Sequence, residues 1–308
     1  MNCPGYLKLY KNGEIKNRIK EAYNLLIKCK LCPRECGVNR LKGETGFCKS
    51  GAEVIVSSFN PHFGEEPPIS GYKGSGTIFF TNCNLRCLFC QNYPISHLGN
   101  GNQVSKNELS KMMLILQKKG CHNINFVTPT HFVPQILSAL YLAIEENLYI
   151  PLVYNCGGYE SVQTLRLLEG IIDIYMPDIK YGGKIEGEKY SSASDYFEIA
   201  KKAVKEMHRQ VGNLKLNKEG IAQRGLLARH LVLPNKLAGT KNVFSFLAKE
   251  ISPNTYVSIM SQYFPAYKAQ EFEELNRRIT PKEYKEALDT AKELDLQRGW
   301  QQDISDTI

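Results

Sequence analysis

The chain has 308 residues, of which 43% are hydrophobic and 23% are charged, and these proportions are typical of a globular protein. Its length allows one large α/β domain with an appendage, or two smaller domains. The net charge of +8 is modest, and the lysines are spread through predicted helices, which favours solvated helix faces over a nucleic-acid surface. Because no signal-peptide pattern and no run of roughly 18 apolar residues is found, we expect a cytoplasmic protein without a membrane partner.

The first part of the chain, residues 1–72, is predicted to be a small module separate from the rest. Apolar residues at helical spacing indicate a short amphipathic helix, and these are Ile15, Ile19, Tyr23 and Leu26. A stretch rich in cysteine, glycine and proline follows, without a regular period. Glu65 and Glu66 come just before the first strand of the next part. As neighbours on an extended segment they are expected to point in opposite directions and to anchor the crossover.

Four cysteines of this module predict a metal site. Cys29, Cys32, Cys36 and Cys48 lie in CKLCPRECGVNRLKGETGFC, with two, three and eleven residues between them. Disulfides are typical of small secreted chains, whereas this chain is large and concentrates its cysteines in two short stretches. Four thiolates can hold either a zinc ion or a fully ligated iron-sulfur cluster, so the spacing leaves both metals open.

From residue 73 to about residue 270, strand-like and helix-like segments alternate. The predicted strands are 77–81, 124–131, 151–155, 171–180, 226–234 and 255–260, and helices are predicted at 105–120, 134–148, 161–169, 195–211 and 240–250. Continuously apolar strands joined by helices predict an α/β fold with a parallel sheet, either wrapped into a partial barrel or left open. In both arrangements the loops at the carboxyl ends of the strands form the active face.

Residues 271–308 are predicted to be a C-terminal helical extension. Thr280, Pro281 and Glu283 supply a cap, a first-turn proline and a capping-box partner for a helix over 281–296. Ser105 and Glu108 have the same capping-box spacing at the start of helix 105–120.

A second cysteine group follows the first predicted strand, in FFTNCNLRCLFCQN. Cys83, Cys87 and Cys90 lie on one loop at the predicted active face. A cubane cluster held by three cysteines has one iron without a protein ligand, and that iron can chelate a small molecule. The alternative is a zinc knuckle completed by His97. A knuckle needs neither the apolar strand before the loop nor the α/β body after it.

The spacing C-x3-C-x2-C, with Phe89 before the last cysteine, resembles the signature of the radical S-adenosylmethionine (SAM) superfamily. The resemblance spans about residues 73–270 and is greatest to proteins related to the pyruvate formate-lyase activating enzyme. It is carried by HFGEEPPISG, CNLRCLFCQN, MPDIKY and RHLVLPN, in matching order. It implies a partial (β/α)6 barrel in which a reduced [4Fe-4S] cluster passes an electron to SAM. SAM then splits into methionine and a 5′-deoxyadenosyl radical that abstracts a substrate hydrogen.

The resemblance also implies roles for individual residues. Cys83, Cys87 and Cys90 would ligate the cluster, and Phe89 would pack near the adenine of SAM. The ends of later strands supply candidate contacts to SAM, and these are Asn155, Asp178, Lys180 and Arg229.

One segment departs from the activating-enzyme pattern. Those enzymes carry Gly-Gly-Glu-Pro after the second strand to hold the methionine amino group, whereas this chain has TPTH at 128–131 and lacks the glutamate. Either Thr130 and the backbone receive the amino group, with His131 as a further candidate contact, or the pocket has changed.

The implied function is reductive cleavage of SAM, with radical formation on a protein, as in glycyl-radical activation, or on another substrate. The implied partners are SAM and an electron donor such as flavodoxin or ferredoxin. A competing hypothesis is a zinc-stabilised protein that binds nucleic acid or an acidic partner.

Overall fold

The structure is a computed structural model that describes residues 4–302. The helices are α1 (Gly5–Lys11), α2 (Glu14–Ile27), α3 (Pro67–Ser70), α4 (Tyr93–Ser96), α5 (Lys106–Lys118), α6 (Val133–Glu145), α7 (Val162–Leu167), α8 (Lys184–Ser191), α9 (Tyr196–Val211), α10 (Thr240–Phe246) and α11 (Pro281–Glu293). The strands are β1 (Val54–His62), β2 (Ser75–Phe80), β3 (Asn102–Val104), β4 (Ile124–Val127), β5 (Leu152–Cys156), β6 (Ile174–Pro177), β7 (Lys215–Leu216), β8 (Ala222–Leu231), β9 (Tyr256–Met260) and β10 (Gly299–Gln301).

All of these strands belong to one open sheet in the order β10-β9-β8-β6-β5-β4-β2-β1-β3, with β7 paired to β8 beside this path. The neighbours from β2 to β10 along this order run parallel. The predicted α/β fold with its parallel strands is therefore confirmed, and β10 adds a further parallel strand at one edge. At the other edge β1 runs antiparallel to both β2 and β3.

Helices cover the parallel strands, which explains why those strands are mostly apolar. Every residue of β4, β5, β6 and β9 is buried. Leu116 of α5 and Leu140 of α6 lie in the same core as Phe126 of β4. The capping boxes predicted at Ser105 and Thr280 are both formed, so these two helices begin where the sequence indicates.

The N-terminal residues share this core. Tyr6, Ile15 and Ala22 are fully buried in it, and the predicted amphipathic helix is confirmed as α2. The sequence analysis did not predict β1, whose side chains do not alternate cleanly between buried and exposed. The division at residues 72 and 270 stays a prediction.

Helix α8 was not predicted from the sequence, because it has a glycine at its centre and no clear apolar face. Between residues 4 and 302, no helix combines the length and apolar character that a membrane span requires.

Candidate active site

A cavity of about 330 Å³ lies at the carboxyl ends of the parallel strands. Its wall includes residues at or just beyond the ends of six of them, namely Phe79, Val127, Asn155, Asp178, Leu231 and Met260. The ends of parallel strands meet at one edge of a sheet, so residues far apart in sequence converge there. The cavity therefore lies where the sequence analysis expected the active face.

The three cysteines of the loop after β2 line this cavity. Each sulfur has a polar neighbour: the Leu85 N–H lies 3.4 Å from Cys83 Sγ, the Ser191 hydroxyl 2.9 Å from Cys87 Sγ, and the Ser96 hydroxyl 3.0 Å from Cys90 Sγ. His97 does not join the thiols, because its Nε2 lies 3.1 Å from the backbone oxygen of Cys87. This arrangement gives no support to a zinc knuckle completed by that histidine.

The donor set fits an iron-sulfur cluster. Burial raises the pKa of Cys83 to about 12, so a bound cation is needed to make its thiolate. Within residues 4–302, no three Cys, His, Asp or Glu side chains are grouped so that they could hold a metal ion. A cluster takes each thiolate on a different iron, so its ligands need not converge on one point.

Phe89 lies in the cavity wall and is buried. Its ring meets those of Tyr181 and Tyr263 edge to face, with centroids 6.2 and 5.8 Å apart. These aromatic contacts hold the cysteine loop against the body of the protein.

The predicted polar residues at the strand ends form one network whose members are buried or half-buried. Arg229 donates to Asp178 and to Asn155, each at 2.7 Å, and Lys180 donates to Asp178 at 2.7 Å. All four residues line the cavity. The structure thus brings together Asn155, Asp178, Lys180 and Arg229 beside the three cysteines.

The charges of this network stabilise one another. Burial raises the pKa of Asp178, but Arg229 and Lys180 outweigh burial and lower it to about 2. Burial lowers the pKa of Lys180, and the carboxylate of Asp178 more than reverses this effect. All three groups therefore stay charged at neutral pH and present fixed charges to the cavity.

Glu65 and Glu66 extend the network, in a way that the sequence analysis did not predict. Their Oε2 atoms lie 3.1 and 3.7 Å from Nη1 of Arg229, so both side chains reach the same cation. The expectation that they point in opposite directions is wrong, because the extended segment ends at Glu66 and the chain turns into α3 directly after it. Burial raises the pKa of both carboxyl groups. The sequence marked these two residues only as adjacent acids before a Pro-Pro pair, which does not indicate a contact with Arg229.

Thr130 and His131 do not line the cavity. Thr130 donates its hydroxyl to Glu160 at 2.7 Å, and His131 Nε2 lies 2.8 Å from the backbone oxygen of Thr81. Burial lowers the pKa of His131 to about 3, so this histidine is neutral. Thr128, by contrast, lines the cavity and has a φ of 59°. This left-handed residue turns the chain, so the side chains that follow point behind the cavity wall.

The four N-terminal cysteines lie in one looped segment between α2 and β1, although the absence of a converged ligand group within residues 4–302 applies to them as well. Cys29, Cys32 and Cys48 are buried and Cys36 is half-buried. Burial raises the pKa of Cys32, and Cys48 and Cys29 are near enough to raise it further. The Phe47 N–H donates to Cys36 Sγ at 3.3 Å. This segment fits a group that takes thiolate ligands.

This segment also contacts the cysteine loop of the cavity. The guanidinium groups of Arg34 and Arg86 both lie over the ring of Phe47, at 3.8 and 5.4 Å from its centroid. Arg34 donates to the backbone oxygen of Asn84 at 3.0 Å, and Arg86 donates to that of Phe47 at 2.9 Å. The two cysteine groups are thus joined through Arg34 and through Phe47 and Arg86, which are the direct neighbours of Cys48 and Cys87.

Comparisons with known proteins point to one family. The family model described as the radical SAM superfamily matches residues 77–217. Uncharacterized protein MJ0674 of Methanocaldococcus jannaschii is 33% identical over 299 residues, which cover 94% of this chain and 82% of that protein. Uncharacterized protein MJ0808 of the same organism is 23% identical over 171 residues, which cover 50% of this chain and 49% of that protein.

Two solved structures share the fold. HydG, a maturase of the [FeFe]-hydrogenase, superposes with a TM-score of 0.52 at 11% identity, covering 73% of this chain and 50% of HydG. A radical SAM methyltransferase from Sphaerobacter thermophilus gives a TM-score of 0.50 at 11% identity, covering 73% of this chain and 66% of that protein. At this level of identity the likeness concerns the fold alone.

Proposed function

The chain belongs to the radical SAM superfamily, and on that premise we propose that Cys83, Cys87 and Cys90 hold the [4Fe-4S] cluster of a SAM-cleaving enzyme. The supporting observation is that these three thiols share one cavity with the polar residues at the strand ends. When bound, the cluster supplies the electron that splits SAM into methionine and a 5′-deoxyadenosyl radical.

The chain's own residues would bind and orient SAM. The charges of Arg229, Lys180 and Asp178 are fixed by their mutual ion pairs, so they need not reorganise when a polar ligand enters. Asn155 offers an amide beside them, and Phe89 offers an aromatic edge for the adenine. Leu231, Leu233 and Met260 form an apolar wall that excludes water from the reacting atoms.

The substrate class we propose is a protein, as in the activating enzymes that the cysteine loop, MPDIKY and RHLVLPN resemble. The cavity of about 330 Å³ is near the lower end of the roughly 300–1,000 Å³ of ligand pockets, and it must also receive SAM. Because the cysteines line this cavity, it must receive the cluster as well, so only a small part of a substrate can enter it, and one residue of a peptide meets that limit. An electron donor such as flavodoxin or ferredoxin completes the proposed reaction.

The test is formation of 5′-deoxyadenosine by anaerobically reconstituted protein given SAM and a strong reductant. We expect product from the parent and none from Cys87→Ala, because the variant lacks one cluster ligand. Product from Cys87→Ala would show that the cluster does not depend on this loop. No product from a parent with a loaded, reducible cluster would contradict the proposed reaction.

For the N-terminal group we propose a second metal site, either zinc or a further iron-sulfur cluster, held by Cys29, Cys32, Cys36 and Cys48. Iron, sulfide and zinc analysis of the parent and of Cys32→Ala identifies the metal, because only the ions held by this group should be lost. Two zinc ions and no sulfide in the parent would instead favour a zinc-stabilised binding protein.

A further inference from the structure

A buried chain of hydroxyl groups leads to the sulfur of Cys87. The Ser191 hydroxyl lies 2.9 Å from Cys87 Sγ, and the Tyr181 hydroxyl lies 2.8 Å from Ser191 Oγ. Both residues are fully buried, so neither hydroxyl is exposed to solvent. Neither hydroxyl has a role in the function proposed above.

Helix α8 fixes Ser191 against the cysteine loop. Ser191 is the last residue of α8, and two backbone carbonyls at this helix end accept hydrogen bonds from the loop. The Leu88 N–H donates to Tyr190 at 2.8 Å, and the Arg86 N–H donates to Ser191 at 3.3 Å. These bonds lie on either side of Cys87, so the distance between the hydroxyl and the sulfur is set by the fold.

The direction of these hydrogen bonds follows from the chemistry of a ligand thiolate. A cysteine bound to iron has no proton to donate, so the Ser191 hydroxyl must donate to it. The oxygen of Ser191 can then accept a hydrogen bond from the Tyr181 hydroxyl, and each hydrogen bond polarises the next. Hydrogen bonds to the sulfurs of a cluster stabilise the reduced form, because one-electron reduction adds negative charge.

We propose that Ser191, supported by Tyr181, is a positioning residue that raises the reduction potential of the cluster by donating a hydrogen bond to Cys87. This inference rests on the proposed function, since it requires the cluster at Cys83, Cys87 and Cys90. One electron enters the cluster from the external reductant in this step, and no proton is transferred between the hydroxyls and the sulfur.

The experiment measures the midpoint potential of the reconstituted cluster by potentiometry, with electron paramagnetic resonance as the readout. Iron and sulfide are quantified first. We expect Ser191→Ala to shift the potential to more negative values and Tyr181→Phe to shift it less, in the same direction. Ser191→Thr, which keeps the hydroxyl, should stay near the parent value. Tyr190→Phe is the control, because its hydroxyl bonds to Glu274 and not to the chain leading to Cys87.

The outcomes separate the inference from the proposed function. A parent that binds no iron and sulfide at this loop would overturn both. A loaded parent whose potential is unchanged in Ser191→Ala, or shifted equally in Tyr190→Phe, would overturn the inference alone. If Ser191→Ala fails to assemble a cluster, the potential of Tyr181→Phe is the deciding measurement. An unchanged potential in Tyr181→Phe would then overturn the inference.

Discussion

Arg229 joins three parts of the chain at the floor of the cavity. Its guanidinium contacts Asp178 after β6, Asn155 in β5 and Glu65 before α3. The side chain is 15% exposed, so water does little to screen these charges. A buried charge that loses its partner is strongly unfavourable, and Arg229 is a partner to three carboxylates.

We therefore expect Arg229→Met to lower the free energy of unfolding by about 3–5 kcal/mol in urea. Lys205→Met is the control, since Lys205 pairs with Glu250 at 2.7 Å and the two side chains are 50% and 45% exposed. Exposed ion pairs contribute only about 0–1 kcal/mol, so this control should be little affected. Equal losses of unfolding free energy in the two variants would mean that the network around Arg229 stabilises the fold no more than an exposed ion pair does.

Glu160 is a buried acid behind the cavity wall. Burial raises its pKa to about 7, although hydrogen bonds from Thr130, Tyr154 and Cys156 partly oppose the effect. The folded protein thus holds this proton more tightly than the unfolded chain, whose pKa stays near the ordinary 4.5. The stability that this group contributes is full below pH 4.5 and is lost as the pH rises toward 7.

We expect the free energy of unfolding of the parent to fall by about 3 kcal/mol more than that of Glu160→Gln between pH 4.5 and pH 7.5. Urea unfolding across this range measures the difference, and the glutamine serves as the uncharged comparison at every pH. Parallel profiles for the two proteins would show that Glu160 titrates normally.

At the level of elements, the turn after β5 depends on a glycine. Gly158 has a φ of 76°, and a Cβ built there would lie 2.5 Å from the backbone oxygen of Asp178. The turn after β5 and the end of β6 therefore approach so closely that only glycine fits.

Gly158→Ala should displace the end of β6 and weaken SAM binding, in addition to lowering the melting temperature. Gly13→Ala is the control, because Gly13 is left-handed with a similar φ of 77° but has no atom within 4 Å of the added Cβ. The control should lose only the roughly 1 kcal/mol of folding stability that a residue with a Cβ costs in the left-handed region. The prediction fails if the two variants bind SAM equally well.

The regular elements were predictable because they follow local rules. Continuous apolar runs indicated the parallel strands, and Ser105 and Thr280 marked two helix starts through side-chain caps. The strand-end residues Asn155, Asp178 and Arg229 could be placed together because the parallel strands that carry them end at one edge.

The features that were missed depend on single dihedral angles or on distant contacts. The second predicted strand extended to residue 131, but β4 ends at Val127 because Thr128 turns left-handed. No apolar period reveals such a residue. Helix α8 lacks an apolar face and is held by hydrogen bonds to the cysteine loop, which its own sequence does not show.

At the level of the whole molecule, the N-terminal helices complete the main core. Tyr6 and Ile15 are fully buried, and the Tyr6 hydroxyl donates to the backbone of Ile150 at 2.9 Å. α2 lies against α6, which itself covers the sheet. Without these helices a large apolar surface would face water, and each Å² of it would cost about 25 cal/mol of folding free energy.

A chain that begins at residue 54 should therefore fail to show a cooperative unfolding transition by circular dichroism, whereas the full-length chain should show one. The loss of the covered apolar surface is the physical reason. A cooperative transition in the shorter chain would show that the barrel folds alone, as the predicted division at residue 72 implies.

The two outermost strands of the sheet, β3 and β10, are each only three residues long. An exposed strand edge offers unpaired N–H and C=O groups to other chains, and a long flat edge promotes aggregation. Here every strand from β9 to β2 along the order has a neighbour on each side, and the terminal strands β3 and β10 offer few free backbone groups, but β3 pairs with only residues 54–56 of β1. The architecture that gathers the cavity residues thus also limits strand addition at β3 and β10, and a strand that adds to this sheet from a neighbouring molecule should be found along residues 57–62 of β1.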